Sequence, residues 1–257
     1  MEKSSMFSLL KKSLCKRCMF FGLNCDRKGC DHYYTFQHII DRRGALYAVE
    51  LLSRPVHLSG YTVEQYFDTL SVDEGKKLIK HQLINLARNW KLLNLDHCKI
   101  FVNIDRYLLA DPNIVDVLTQ ASRKFKKEGL ELVYEITERQ YEVDMNLSTV
   151  FYRMLLDDIL FAADDYSFVK KTHVFADDYA YIKIDMEDIY RGIRQDYNKF
   201  IDRLYQLKDN NIKLIAEKVQ SKNDYLTIYA MPFDFFQGFY FDTDYEPILE
   251  CAPVAWA

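Results

Sequence analysis

Residues 130–165 read LELVYEITERQYEVDMNLSTVFYRMLLDDILFAADD, and this stretch shows the pattern that decides the fold. Its two ends, 130–136 and 159–163, are short runs of aliphatic and aromatic residues, which is typical of buried strands. Between them, residues 146–156 repeat their apolar positions at the spacing of an amphipathic helix. A strand, a helix and a second strand in succession predict a parallel sheet with a crossover helix.

The same alternation extends over most of the chain. Further strands are predicted at 33–40, 45–52, 100–104, 179–184, 212–216 and 235–239, and further helices at 72–90, 114–127 and 189–207. About eight such strands predict a closed α/β barrel, a TIM-like (β/α)8 fold, and 257 residues are enough to form one. We therefore expect one large domain at 34–257, preceded by a cysteine-rich N-terminal extension at 1–33.

Composition excludes several classes of function. The chain has a formal net charge of −4, so it lacks the basic footprint that binding to a nucleic-acid backbone requires. No apolar run reaches the roughly 18 residues of a membrane span. Charged pairs at residues 11–12 and 16–17 interrupt any signal-peptide core. The sequence predicts a cytoplasmic protein with no transmembrane segment and no direct nucleic-acid binding.

Many predicted strands end on a polar or charged residue. These strand-end residues are Glu50, Asn103, Glu135, Asp164 with Asp165, Lys183, Glu217 and Gln237. The C-terminal strand ends of an α/β barrel meet at one mouth. Carboxylates gathered there repel one another unless positive charge lies among them, and no arginine cluster of matching size is visible. Divalent metal ions are the simplest answer, and oxygen ligands with one amide favour Mg²⁺ or Mn²⁺ over zinc. Each carboxylate taken singly could instead be a helix N-cap or a solvated loop residue.

A series of short motifs, in consistent order and spacing, resembles the EAL family of cyclic di-GMP phosphodiesterases. The first, ELLSR at 50–54, resembles the EAL signature, with Leu51 where alanine is usual. The others are QHI at 37–39, VNI at 102–104, EITE at 135–138, DDY at 164–166, KID at 183–185, AE at 216–217 and QGF at 237–239. The resemblance runs from about residue 34 to residue 247 and implies a barrel of the EAL type.

The resemblance also implies roles for individual residues. The implied metal ligands are Glu50, Asn103, Glu135, Asp164 and, for a second ion, Asp165. The implied catalytic residues are Glu50 together with Lys183 and Glu217, which would orient or activate the attacking water. The implied substrate contacts are Leu52 and Arg54, with Gln237 helping to hold the water network. Glu138 would brace the loop after the paired aspartates.

The implied activity is hydrolysis of cyclic di-GMP to linear pGpG with two Mg²⁺ or Mn²⁺ ions. Two cations about 4 Å apart polarise a phosphodiester and make a nearby water more acidic. Lowering this second messenger would favour motility over biofilm formation.

The sequence departs from the family pattern at two loops. After Asp164-Asp165 the family usually has a loop with glycines, which supply positive φ or close backbone approach, but here residues 166–169 contain none. Lys218 and Gln220 replace the usual glycine and glutamate after Glu217. An alternative therefore stays open: a catalytically inactive EAL-like regulator that binds a partner such as the flagellar master transcription regulator, or a receptor for cyclic di-GMP. Because the family's loop supports dimerisation, a homodimer is also among the expected states.

The N-terminal extension contains a cluster of four cysteines, Cys15, Cys18, Cys25 and Cys30. Their spacing matches no standard zinc template. Three interpretations remain: reduced cysteines in a tail, a zinc or iron–sulfur site, and redox-sensitive pairing.

Overall fold

The structure is a computed structural model that describes residues 32–55, 58, 60–93, 98–137, 148–168 and 179–242. Glu138 and the four N-terminal cysteines lie outside these residues. The described strands are β1 (His32–Asp41), β2 (Leu46–Pro55), β3 (Lys99–Asp105), β4 (Glu131–Thr137), β5 (Leu160–Ala163), β6 (Tyr181–Asp185), β7 (Lys213–Glu217) and β8 (Phe235–Gln237). They form a closed barrel in chain order, which confirms the predicted α/β barrel.

Helices follow most of the described strands. They are α1 (Val63–Asp68), α2 (Val72–Asn89), α3 (Pro112–Lys127), α4 (Ser148–Leu156), α5 (Met186–Asp209), α6 (Lys222–Tyr229) and α7 (Phe239–Asp242). Two 3₁₀ segments occupy Trp90–Leu93 and Arg106–Ala110. Polar caps fix several of the helix starts: Ser71 and Glu74 form a capping box at α2, and the Asp185 side chain accepts from the Asp188 amide at α5. None of the helices in the described residues has both the length and the apolar character needed to cross a membrane.

The first strand runs against the direction of its neighbour. Strand β1 pairs antiparallel with β8, with Ile39 opposite Gln237, whereas β3 through β8 pair in parallel. The sequence predicts parallel strands joined by helices, but β1 is joined to β2 by a short turn in which Gly44 adopts φ +81°. A parallel pair needs a long crossover connection, and this turn is too short to provide one.

The chain divides into two compact units. The first comprises Met1–Phe36, Leu51–Asp96 and Tyr245–Ala257, of which only part is described. Within it, the Gln82 side chain donates to the Leu51 carbonyl at 3.1 Å. His32, which follows the cysteine cluster in the sequence, hydrogen-bonds the Tyr66 hydroxyl at 3.1 Å and stacks on Phe67.

The second unit, Gln37–Glu50 and His97–Asp244, holds most of the barrel and its interior. One buried cluster takes one side chain from each strand: Ile39, Ala48, Phe101, Val133, Ala162, Tyr181, Ile215 and Phe235. Because side chains alternate along a strand, the residue two positions away faces the same way. On β2 through β8, the residue two positions later is the polar residue that the sequence places at the strand end, although β2, β3, β4 and β6 continue past it. On β1, which runs the other way, it is Gln37, two positions earlier. The apolar layer thus supports a polar layer at the barrel mouth.

Candidate active site

A buried lysine lies at the centre of the polar layer. Lys183, the third residue of β6, has 0% of its surface exposed. Its Nζ lies 2.6 Å from Glu135 Oε1, 2.6 Å from Glu217 Oε1 and 3.1 Å from Glu50 Oε2. Asp164 Oδ1 lies further away, at 3.9 Å. Part of the positive charge that the carboxylates need is therefore supplied by the chain itself.

Glu50 is held by hydrogen bonds from three neighbours. Besides Lys183, the Asn103 amide donates to its Oε1 at 2.7 Å and the Gln237 amide donates to its Oε2 at 2.5 Å. The same Gln237 amide group also donates to Gln37 Oε1 at 3.0 Å. Burial opposes ionisation of Glu50, but the Lys183 charge and these donors hold its pKa below the ordinary value.

The other carboxyl groups around Lys183 have pKa values above their ordinary ones. Burial raises the pKa of Glu217 to about 8, although the Lys183 ammonium acts in the opposite direction. Burial, together with the Glu50 charge, also raises the pKa of Glu135 well above its ordinary value. Burial raises the pKa of Asp164, and the adjacent Asp165 adds to this. The Lys183 ammonium thus does not fully offset the effect of burial on the pKa values of these three carboxyl groups.

The geometry fits a divalent cation. Among the described residues, Glu50, Glu135 and Glu217 each offer an oxygen within 4.8 Å of the others, and we call them the inner acidic group. Asp164 and Asp165 with Glu217 meet the same criterion, and we call them the outer acidic group. Glu135 Oε2 is buried without a hydrogen-bond partner, which is costly unless something else satisfies it. Carboxylate oxygens are hard ligands, so this unpartnered oxygen and its neighbours are suitable ligands for Mg²⁺, Mn²⁺ or Ca²⁺.

Residues 164–168, which follow β5 and contain no glycine, are held by hydrogen bonds and aromatic packing. Asp165 itself adopts φ +44°, a conformation that aspartate tolerates better than most residues. The Tyr166 amide donates to the Lys183 carbonyl at 3.0 Å, which ties the loop to β6. Phe168 packs edge-to-face on Tyr166 and on Phe200. Aromatic packing thus supports the start of this loop, where the family resemblance leads us to expect glycines.

Lys218 extends the polar layer outward. Its Nζ lies 3.0 Å from Asp165 Oδ1 and 3.0 Å from Asp185 Oδ2. Its φ is +56°, so the backbone keeps the conformation typical of glycine at a position where the residue is lysine. The sequence identified Lys218 as a departure from the family pattern, but it did not predict these contacts.

A close backbone contact fixes the ends of β7 and β8. A Cβ added at Gly238, where φ is +152°, would lie 2.2 Å from the Val219 carbonyl oxygen. The Val219 amide donates to the Gln237 carbonyl at 3.1 Å. Only glycine permits this approach, which brings Glu217 and Gln237 to the same mouth.

The structure thus brings together Glu50, Asn103, Glu135, Asp164, Asp165, Lys183, Glu217 and Gln237. Leu52 and Arg54 lie further along β2, both half-buried and on the same side of the strand as Glu50 by alternation. Glu138 lies outside the described residues. The site roles predicted from the sequence omit Gln37, Asp185 and Lys218, although the first two belong to the QHI and KID motifs and could have been found there.

A closed barrel with buried carboxylates at its C-terminal strand ends belongs to the class of α/β barrels that place their functional site at that mouth. The family described as EAL domain matches residues 25–244. The chain therefore belongs to the EAL domain family. A search of curated protein sequences finds no significant match.

Several solved structures are similar in fold. One is a stand-alone versatile EAL protein of Vibrio cholerae O395 in its c-di-GMP-bound form, with 20% identity, a TM-score of 0.64, and coverage of 82% of this chain and 90% of that chain. A second is the YkuI protein of Bacillus subtilis in complex with c-di-GMP and calcium, with 18% identity, a TM-score of 0.64, and coverage of 84% and 55%. A third is BlrP1 of Klebsiella pneumoniae in a manganese and c-di-GMP complex, with 19% identity, a TM-score of 0.66, and coverage of 82% and 55%. The match spans little more than half the length of the last two proteins.

Proposed function

We propose that this protein binds cyclic di-GMP at the barrel mouth and, with Mg²⁺ or Mn²⁺, hydrolyses one phosphodiester bond to give linear pGpG. The observation that carries the proposal is the convergence of buried carboxylates on Lys183, with Glu135 Oε2 left unpartnered among them. The similar structures with c-di-GMP and manganese or calcium support it. Removal of the messenger would favour motility over biofilm formation.

The acidic groups would hold the cations. Glu50, Asn103, Glu135 and Asp164 would bind the first ion, and Asp165 in the outer acidic group would bind the second. When bound, such ions polarise the phosphodiester and stabilise the negative charge that develops on it. Asn103 would contribute its amide oxygen, since its amide nitrogen already donates to Glu50.

Two residues of the chain would handle charge and protons during cleavage. Lys183 places a fixed positive charge where the phosphate becomes more negative, and its burial strengthens that interaction. Glu217 is the proposed proton acceptor, because a carboxyl group with a pKa near neutrality exchanges protons readily with a water. Gln237 Oε1 is buried without a hydrogen-bond partner and would hold the water network.

The remaining predicted residues would position the substrate. Arg54 and Leu52 share the Glu50 side of β2, where a guanidinium could pair with a nucleotide phosphate and a leucine could contact a base. Glu138 would brace the loop that carries Asp164 and Asp165.

Turnover with purified protein tests the proposal. With Mn²⁺ or Mg²⁺, chromatography should show conversion of cyclic di-GMP to pGpG, and Glu50→Ala should abolish it. Glu131→Ala is the matched control, because Glu131 begins β4 at the opposite end of the barrel, where it pairs with Lys99. We expect Glu131→Ala to retain turnover. Absence of product at stoichiometric enzyme and millimolar metal would refute the hydrolytic proposal.

A second candidate is a regulator that binds cyclic di-GMP or a protein without cutting the nucleotide. The Lys218–Asp165 ion pair favours it, because it places a cation in the outer acidic group. Calorimetry showing cyclic di-GMP binding without turnover would identify a receptor. A complex with a transcription regulator that survives Glu135→Ala would identify a protein-binding role, and sedimentation would show whether the protein is a homodimer.

A further inference from the structure

The Lys218 ammonium lies at one edge of the outer acidic group. It contacts the same Asp165 carboxylate that the proposed second cation would use, at 3.0 Å from Oδ1. Its other partner, Asp185 Oδ2, is also at 3.0 Å. The side chains of Lys218 and Asp165 are 57% and 60% exposed, whereas that of Asp185 is only 17% exposed. The ammonium therefore bridges the largely buried Asp185 carboxylate and the exposed Asp165 carboxylate.

The backbone that carries Lys218 is fixed from both sides. Glu217, the preceding residue, ends β7 and contacts Lys183. Val219, the following residue, donates to the Gln237 carbonyl at 3.1 Å, accepts from the Tyr240 amide at 3.0 Å, and is closely packed by Gly238. Lysine is held here at φ +56°, a conformation that it ordinarily avoids.

The local charges show what this ammonium does. Asp185 already receives the Asp188 amide at the N-terminus of α5, and this bond together with Lys218 holds its pKa below the ordinary value despite partial burial. Lys218 in turn contacts the Asp165 and Asp185 carboxylates, each at 3.0 Å, and two such partners favour its charged form. A cation bound by Asp165 would lie a few ångströms from this charge. Repulsion between a divalent and a monovalent cation at about 5 Å weakens binding at least about tenfold even at the dielectric constant of water.

We propose that Lys218 is a built-in cation of the outer acidic group, so that the protein binds one divalent ion tightly and a second at least about tenfold more weakly. The inference rests on the metal site of the proposed function, but not on turnover. Lys218 forms its ion pairs with Asp165 and Asp185, which are not among the ligands proposed for the first ion (Glu50, Asn103, Glu135 and Asp164), so the first ion should keep its affinity.

Counting bound Mn²⁺ tests this directly. Electron paramagnetic resonance of free Mn²⁺, or calorimetry with Mn²⁺ alone, would give the stoichiometry and both dissociation constants. The wild type should bind one ion tightly. Lys218→Met, which removes the charge, and Lys218→Gly, which also relieves the backbone, should bind the second ion at least about tenfold more tightly than the wild type does.

Two controls separate the charge from other effects. Lys218→Arg keeps a positive charge and should behave like the wild type. Lys222→Met removes an exposed lysine at the start of α6 and should leave the affinity for the second ion as low as in the wild type. Circular dichroism would verify that each variant is folded, and Lys218→Gly is expected to fold because glycine favours this conformation.

The outcomes distinguish the inference from the proposed function. Two ions bound with similar affinity by the wild type would overturn the role of Lys218, and so would an unchanged second affinity in both charge-removing variants. Absence of Mn²⁺ binding in every variant would overturn the metal site itself. The inference would be supported if the wild type binds the second ion weakly and Lys218→Met binds it more tightly. This holds whether or not the protein hydrolyses cyclic di-GMP.

Discussion

Replacement of Lys183 by methionine tests the electrostatics of the site most directly. Methionine keeps most of the length of the side chain and its apolar character, but it removes the only ammonium in contact with the inner acidic group within the described residues. Glu50, Glu135 and Glu217 would then face one another with no compensating charge. We expect Lys183→Met to lower the free energy of unfolding of the metal-free protein.

The contacts of Lys183 set the size of the effect. Its ammonium is fully buried and lies 2.6, 2.6 and 3.1 Å from three carboxylates. Removal of one partner from a buried ion pair costs about 3–5 kcal/mol. Protonation of Glu135 and Glu217, whose pKa values burial already raises, would recover part of this at low pH. With about 2–4 °C per kcal/mol for a domain of this size, the Tm near pH 8 should fall by about 6–20 °C.

Thermal unfolding followed by circular dichroism, with a chelator present, measures this change. The control is Lys208→Met, since Lys208 pairs with Asp234 in a setting where the two side chains are 32% and 27% exposed. Loss of such a pair should cost no more than about 1 kcal/mol. Millimolar Mn²⁺ should raise the Tm of Lys183→Met more than that of the wild type, because the ion replaces the missing charge. A decrease no larger than that of Lys208→Met would refute the reasoning.

Three further predictions concern stability. In the metal-free protein, Tm should fall as pH rises from about 5.5 to 8.5. The reason is that Glu217, with a pKa of about 8 in the folded protein and 4.5 ordinarily, keeps a proton that the unfolded chain releases. Glu217→Gln should flatten this pH dependence, and a Tm that rises with pH would contradict the prediction. Gly238→Ala should lower the free energy of unfolding in urea by about 1–3 kcal/mol, because its Cβ would collide with the Val219 backbone, and an unchanged midpoint would disprove the close contact. Ser71→Ala removes the N-cap of α2 and should cost about 0.5–2 kcal/mol in the same assay, whereas Ser71→Thr should cost much less.

The sequence predicted the barrel because its signal is periodic and local. The run at 130–136 shows how: Val133 faces the interior, and Glu135, two positions later, faces the same way at the mouth. The same spacing links Phe101 with Asn103 and Ile215 with Glu217. A residue's place in this pattern depends only on its near neighbours, so it can be seen without a structure.

The rest of the site depends on which distant residues meet. Lys218 and Asp165 are 53 positions apart, and no local pattern indicates that their side chains touch. The strand-end pattern includes Lys183 but does not show that its ammonium lies among the carboxylates. The pattern alone leads to the expectation that metal ions balance their charge. The direction of β1 is likewise seen only from its antiparallel pairing with β8. Because of this direction, the mouth residue Gln37 precedes the interior residue Ile39 instead of following it.

The two lysines of the site differ in what a bound cation can do to them. Lys183 is fully buried among three carboxylates, so a metal ion must bind beside it and share its ligands. Lys218 is more than half exposed, but its two ion pairs hold the ammonium beside Asp165, so a cation that binds Asp165 would meet its repulsion. The first ion would therefore bind among carboxyl groups that already contact a buried ammonium, while the second would bind against the repulsion of Lys218. On this basis, a reaction that needs both ions should depend on metal concentration well above the level that saturates the first site, and Lys218→Met should lower that requirement.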